Sequence, residues 1–407
     1  MRLAYNLSTT AYHWGIRLAA PFNAKAKKWV EGRKNWQQNL QKQVDDSAQY
    51  AWFHCASLGE FEQGRPVIEA FRLQFPSWKI LLTFYSPSGF EVRKNYQGAD
   101  IVCYLPPDSE KNAQAFLKIV DPKLAVFVKY EFWFHYLNQL HRQKIPTCLI
   151  SAIFREEQHF FKWYGDFSRK MLGLFNHLFV QDNSSEKLLK QHGIEAVTVC
   201  GDTRFDRVAQ VARMAEPVPE VAQFCKGSKV LVVGSSWPKD EAILSEVWKS
   251  AGFSKMIIAP HEVHEKHIEE ILNRFENEKV VRFSGGFHEE WSSANILVVD
   301  TIGLLGRIYR YGGVAYIGGG FGSGIHNILE AATFGLPVVF GPNYQRFREA
   351  VELIEIGGAR SVDSSTALKE AFEILQPTTA GKTAAAYVQT NTGATEKILN
   401  HFIEELT

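Results

Sequence analysis

The strongest constraint on this chain is an alternation that runs to about residue 200, stops, and starts again. From about residue 50, short apolar runs ("YAWFHCA", "KILLTFY", "DIVCYLP", "LAVFVKY", "PTCLISA", "HLFVQD", "AVTVCG") are separated by segments such as Gly64 to Phe75 and Ser109 to Ile119, whose apolar residues recur every three or four positions. Runs that are apolar at nearly every position have no solvent face. They suit strands of a parallel sheet covered by helices on both sides, the product of repeated βαβ units. A polar, proline-containing stretch near 215–228 breaks the pattern, which resumes at "KVLVVGSS", "KMIIAP", "KVVRFS", "NILVVD", "GVAYIGG" and "LPVVFGP". The expected fold class is α/β, with Rossmann-like doubly wound domains at 46–214 and 229–382, a linker at 215–228, and a helix-like segment at 383–407 that suits either half. Two such domains facing one another line a central cleft with the carboxyl ends of their strands, and ligands belong there.

The length of 407 residues accommodates two cores of ordinary size, and a composition of 45% hydrophobic and 22% charged residues excludes general disorder. Five widely spaced cysteines, Cys55, Cys103, Cys148, Cys200 and Cys225, read as reduced core residues, since none forms a CxxC pair. A net charge of +1 excludes a nucleic-acid footprint over the whole surface. Residues 1–45 differ from the rest. Arg2, Arg17, Lys25, Lys27, Lys28, Arg33 and Lys34 face the single acid Glu31 up to residue 40, interleaved with Tyr5, Tyr12, Trp14, Phe22, Trp29 and Trp36. No run there reaches the roughly 18 apolar residues that span a bilayer. The segment fits the plane of an anionic membrane surface, or else a solvated basic helix packed on its own domain.

Several stretches carry candidate chemistry. "HCASLGEFEQGRP" places Glu60 and Glu62 in the turn after the first strand, where a carboxylate can exchange protons with a ligand or merely favour a helix amino terminus. Glu131 in "VKYEFWF" and Arg204 in "GDTRFDR" are its charged companions. In the second half, "GVAYIGGGFGSGIHNILEAATFGLPVVFGP" runs from a strand through Gly318, Gly319, Gly320, Gly322 and Gly324 into a helix expected from about His326. Such a loop can cradle a phosphate, although it is not the dinucleotide fingerprint and has no Walker lysine. Glu330 can accept from ribose hydroxyls, and Asn327 can contact phosphate or cap the helix. Ser235 and Ser236 in "GSSWPKDE", and Asp300, Thr301 and Gly303 in "VVDTIGLLGRIY", follow other strands. His261, His264 and His267 in "APHEVHEKH" miss the i, i+4 spacing of a helical metal site, so no metal is expected and His261 is the cleft donor.

Taken in order, "EGRKNW", "HCASLGEFEQGRPVIEAF", "LLTFYSPSG", "YLPPDSEKNAQAFL", "VKYEFWF", "LISAIFREE", "FVQDNSSEKL", "VCGDTRFD", "VVGSSWPKDE", "APHEVHE", "VVDTIGLL" and "GGFGSGIHNILEAATFGLPVVFGP" resemble the 3-deoxy-D-manno-octulosonic acid (Kdo) transferases of lipopolysaccharide assembly. These are inverting glycosyltransferases of the two-Rossmann-domain GT-B type. The resemblance implies CMP-Kdo as donor, a lipid A precursor as acceptor, no cofactor or metal, and the cytoplasmic face of the inner membrane. It assigns Glu60 as general base, with Glu131 and Arg204 stabilising the transition state. It assigns Pro260, His261, Ile302, Gly303, Leu304, Asn327, Ile328, Leu329 and Glu330 to CMP, and leaves Glu62 with helix capping.

Three positions depart from the family pattern. Arg204 stands for Lys, Lys129 replaces an acid two residues before Glu131, and Leu304 replaces a Glu expected on the nucleotide. Two other functions suit the architecture: a nucleotide-sugar epimerase, and a catalytically silent nucleotide-sugar-binding protein. The basic aromatic amino terminus argues against the first, and Glu60 against the second.

Overall fold

The computed structural model describes residues 1–375 and 378–406. They form two α/β units: Met1–Arg207 joined by the final segment from Thr392, and Val208–Asn391. The stretch 215–228 carries a helix, Pro219–Cys225, within the second unit.

The first unit is built on strands β1 (Tyr50–Cys55), β2 (Lys79–Phe84), β3 (Ile101–Tyr104), β4 (Pro122–Val128), β5 (Thr147–Ala152), β6 (His177–Val180) and β7 (Val197–Val199). All pair in parallel, in the order β3-β2-β1-β4-β5-β6-β7. β1 and β5 are buried at every position because helices cover both faces, which is why these runs lack polar alternation. The order reverses between β1 and β4, so the loops after these two strands diverge and leave a crevice at their carboxyl ends. Helices α1 (Arg2–Ala19), α2 (Ala24–Glu31) and α3 (Trp36–Gln41) precede the sheet, and α4 (Leu58–Gln74) follows β1. The last helix, Ala394–Leu406, returns to this unit and buries Ala394, Ile398 and Phe402 in the cluster that holds Phe53 and Phe71.

The second unit repeats the plan with β8 (Val230–Ser236), β9 (Lys255–Pro260), β10 (Val280–Arg282), β11 (Ile296–Val298), β12 (Val314–Ile317), β13 (Val338–Phe340) and β14 (Ala359–Ser361). The parallel order is β10-β11-β9-β8-β12-β13-β14, which puts its reversal between β8 and β12. Each of the thirteen apolar runs becomes a strand. The fourteenth, β14, carries Arg360 and sits at a sheet edge, so it has no apolar signature to read.

Candidate active site

Glu60 is the third residue of α4, and the turn before it explains its orientation. Ser57 is extended and begins the helix, and its backbone N–H donates to Glu60 Oε2 at 2.9 Å, with its hydroxyl at 3.3 Å. This is a capping box, in which the acid satisfies a backbone donor that has no partner inside the helix. The carboxyl is half-buried and pushed up to about 7, first by desolvation and then by the charge of Glu131, against the lowering effect of the Ser57 and Ala56 bonds. A carboxyl poised there exchanges protons near neutrality, as a general base requires.

Glu131 reaches the same place from β4. Lys129, the first residue past the strand, takes a left-handed conformation (φ 70°) that turns the chain back at the crevice. Glu131 is 6% exposed, and its Oε2 lies 2.8 Å from His54 Nε2 and 2.6 Å from Trp133 Nε1. His54 is fully buried on β1, directly across from Thr83 of β2, with Nδ1 2.8 Å from the Thr83 hydroxyl. That hydroxyl also receives the Trp52 indole N–H at 2.8 Å. Facing the Glu131 carboxylate, which can only accept, His54 Nε2 is the donor of that pair. A chain of contacts, Trp52 to Thr83 to His54 to Glu131, thus orients one carboxylate beside the other.

Arg204 opens the helix Thr203–Met214 and forks onto Asp202 of its own turn, with Nε 2.8 Å from Oδ2. The neighbouring Thr203 hydroxyl donates to the Gln63 carbonyl of α4 at 2.5 Å, which ties this turn to the Glu60 helix.

In the second unit, the turns after β11, β9, β8 and β12 lie along the carboxyl edge of adjacent strands. Pro260 closes β9 in the core, and His261 stacks on His326 with ring centroids 4.3 Å apart. Trp237 stacks on His261 at 4.7 Å and donates its indole N–H to His326 Nε2 at 3.0 Å. Burial and the neighbouring His261 hold His326 down to about 4, so it stays a neutral acceptor. Asp240 accepts from the N–H groups of Trp237 and Gly319 and from the Tyr316 hydroxyl, locking the turns after β8 and β12 together. A Cβ on Gly318 would lie 2.2 Å from the Ser235 carbonyl oxygen, and one on Gly320 2.5 Å from the Gly341 backbone. Those two glycines are therefore required by packing between loops. Asn327 Oδ1 accepts from the Leu329 N–H at 3.1 Å, and Asn327 Nδ2 donates to Glu330 at 3.0 Å. Ile328 and Leu329 are buried, Gly303 takes φ 94°, Leu304 is half-buried, and Ile302 is 88% exposed.

Residues 30–207 match the family model described as 3-deoxy-D-manno-octulosonic-acid transferase (kdotransferase), a span that includes Glu60, Glu131 and Arg204. The 3-deoxy-D-manno-octulosonic acid transferase of Chlamydia trachomatis is 26% identical over 342 residues, covering 80% of this chain and 78% of the relative. That of Bordetella pertussis is 26% identical over 370 residues, covering 86% of each. Over these spans the chain is similar to Kdo transferases, which are glycosyltransferases. In fold, it is similar to the UDP-GlcNAc 2-epimerase of Neisseria meningitidis bound to UDP-GlcNAc (TM-score 0.61, 16% identity, 88% of this chain and 100% of that one). At that identity the likeness shows the architecture alone.

Two expectations need correcting. Glu62 does not cap α4: its carboxylate pairs with Arg93 at 2.6 Å, and Glu60 takes the capping position because the Ser-x-x-Glu spacing selects the third helical residue. The helix expected from about His326 is one turn, Leu329–Ala332, so the preceding residues form a loop held by Asn327. Other residues escaped notice altogether. His54 and Thr83 had a readable signal, each being a polar residue inside an apolar run, but their juxtaposition depends on the β1–β2 register. Trp133 and Trp237 had none, since tryptophan beside an apolar run looks like core. His264 and His267 serve structure, His264 capping the helix Glu265–Arg274 and His267 facing Glu241 at 3.1 Å.

Proposed function

We propose that this protein moves Kdo from CMP-Kdo to a lipid A precursor of the lipid IVA type, with inversion, at the cytoplasmic face of the inner membrane. The observation that carries this reading is the Glu60 carboxyl, pushed to about 7 beside Glu131 at the switch point of the first unit. Glu60 takes the proton of the acceptor's primary hydroxyl while that oxygen forms its bond to the anomeric carbon of Kdo. The bond to the phosphate oxygen breaks on the opposite face, and CMP departs with the electron pair. Positioned proton transfer of this kind contributes roughly 100- to 10,000-fold. Glu131 and Arg204 act on the charge that develops at the sugar.

CMP lies against Pro260 and His261, the Ile302–Leu304 turn and the Asn327–Glu330 loop. The N–H groups and polar side chains of these turns oppose its growing negative charge without a metal or cofactor. The acceptor is reached from an anionic bilayer surface. Leu3, Leu7, Trp14 and Leu18 are 58–73% exposed and, at steps of four and seven residues, share one stripe of α1. Among the described residues no helix is long and apolar enough to cross a membrane.

The test is release of CMP from CMP-Kdo by purified protein with and without lipid IVA, together with the product mass. Acceptor-dependent release and a Kdo-bearing lipid are expected, with Glu60→Gln abolishing turnover while retaining CMP binding. Turnover without acceptor would favour an epimerase or hydrolase instead. No turnover despite CMP-Kdo binding would indicate a silent binding protein, and full activity in the Gln variant would remove Glu60 as the base.

A further inference from the structure

A groove of about 460 Å³ opens between α1, α2 and the turn after β2, within the size range of small-ligand sites. Tyr12, Ile16, Ala19, Ala26, Trp29 and Tyr85 supply its apolar walls. Its polar lining is largely committed elsewhere. Asn23 Oδ1 accepts from the backbone N–H groups of Lys25 and Ala26, and the Ser86 hydroxyl accepts from the Ser88 N–H. Beyond hydrocarbon surface, the lining residues bring the Lys25 ammonium, the Tyr12 hydroxyl and the Trp29 indole N–H, which has no partner among the described residues. The walls are rigid. Trp29 is pinned by the guanidinium of the buried Arg33, 3.9 Å from its ring centroid, and by the stacked His13 ring at 5.5 Å.

One wall of the groove adjoins the candidate active site. Tyr85 stacks on Trp133 with centroids 4.6 Å apart, and the Trp133 indole donates to Glu131. The Ser86 N–H donates to the Ala56 carbonyl at 2.7 Å, one residue before the Ser57–Glu60 turn. A ligand lying here has its apolar part against α1 and α2, with the Tyr85 wall between it and the Trp133–Glu131 pair. Such a lining suits an amphiphile that carries negative charge close to its hydrocarbon.

We infer that this groove holds one acyl chain of the acceptor lipid, with Lys25 facing an anionic group of the same molecule. The inference rests on the acceptor being the lipid proposed above. Held in this way, the chain fixes the depth at which the sugar hydroxyl meets Glu60, and the groove discriminates acceptors by acylation.

Fluorescence titration of the full chain with 11-(dansylamino)undecanoic acid tests the groove without any need for transfer activity. Saturable binding is expected, weakened at least tenfold by Ala26→Trp, which fills the groove, and by Ile16→Glu. Leu73→Glu, at an exposed position near the end of α4, should leave it unchanged. Circular dichroism and melting curves identify any variant that fails to fold, and Lys25→Ala, on an exposed position, provides a mild second variant expected to weaken binding severalfold. In kinetics, Ala26→Trp should raise KM for the acylated acceptor at least tenfold more than KM for its deacylated form. Absence of saturable binding, binding indifferent to all three groove variants, or equal KM changes for the two acceptors would overturn the inference. So would a shift of the variants from dimer to monomer, which would mark the groove as an interface between copies. Loss of transfer with probe binding intact would count against the proposed reaction and leave the groove standing.

Discussion

Glu60 caps α4 and, in the proposed reaction, is also the base, and its ionisation separates the two tasks. Its folded-state value of about 7 lies above the usual 4.5, so the folded chain favours the protonated form. The associated stability is complete below about pH 4.5 and is lost as pH rises through about 7. Base catalysis needs the other form, so kcat should rise with pH to a midpoint near 7 and then level off. Glu60→Gln keeps an acceptor for the Ser57 N–H but cannot ionise. Its melting temperature relative to the parent should therefore be higher at about pH 8 than at about pH 5, and a difference independent of pH would contradict the assignment. His54 acts one step back as a positioning residue. His54→Phe removes a donor from Glu131, which should lower kcat and move the pH midpoint away from 7, because the charge of Glu131 is one of the causes that raise Glu60. A fall in kcat with an unmoved midpoint would reduce His54 to a packing role.

At the scale of elements, α1 turns an unusual face outward. Its inner side is fastened to the loops and a helix that follow the strands: the Tyr5 hydroxyl contacts Asp108 at 2.5 Å, the His135 ring meets Asn6 at 2.7 Å, and the His13 ring meets Tyr85 at 3.1 Å. The helix is therefore held with Leu3, Leu7, Trp14 and Leu18 exposed, an arrangement that costs solubility unless another surface covers it. Leu7→Glu with Trp14→Glu should abolish sedimentation with phosphatidylglycerol liposomes while leaving the melting temperature within a few degrees. Undiminished sedimentation would return α1 to an ordinary solvated helix. α4 shows a second general device, a strand leading into a capped helix whose capping acid faces the switch point, so that one turn both starts an element and arms a site.

For the molecule as a whole, the chain crosses to the second unit after Arg207 and comes back at Thr392. The return is anchored where Asp206 accepts from the N–H groups of Gly393 and Thr395, at 2.6 and 2.7 Å, and where Phe402 packs on Phe71. The first unit thus depends on the last residues to close its core. Phe402→Ala should destabilise it by about 3–5 kcal/mol, as measured by urea unfolding. A change below about 1 kcal/mol would mean that the terminal helix is dispensable.

The sequence alone determined the fold class, because thirteen apolar runs without polar alternation admit little but strands buried on both faces. It also singled out Glu60 and Glu131, since acids at strand ends are legible in one dimension, and the family motifs placed them together. It could not decide how the two acids of "HCASLGEFEQGRP" divide their work, because capping depends on where α4 begins and pairing depends on Arg93 arriving from another helix. Nor could it see the relay through His54, which exists only once β1 and β2 pair in register, or the ring stack of Trp237, His261 and His326. Burial and register are properties of the assembled sheet, and those two properties set the proton affinity of Glu60.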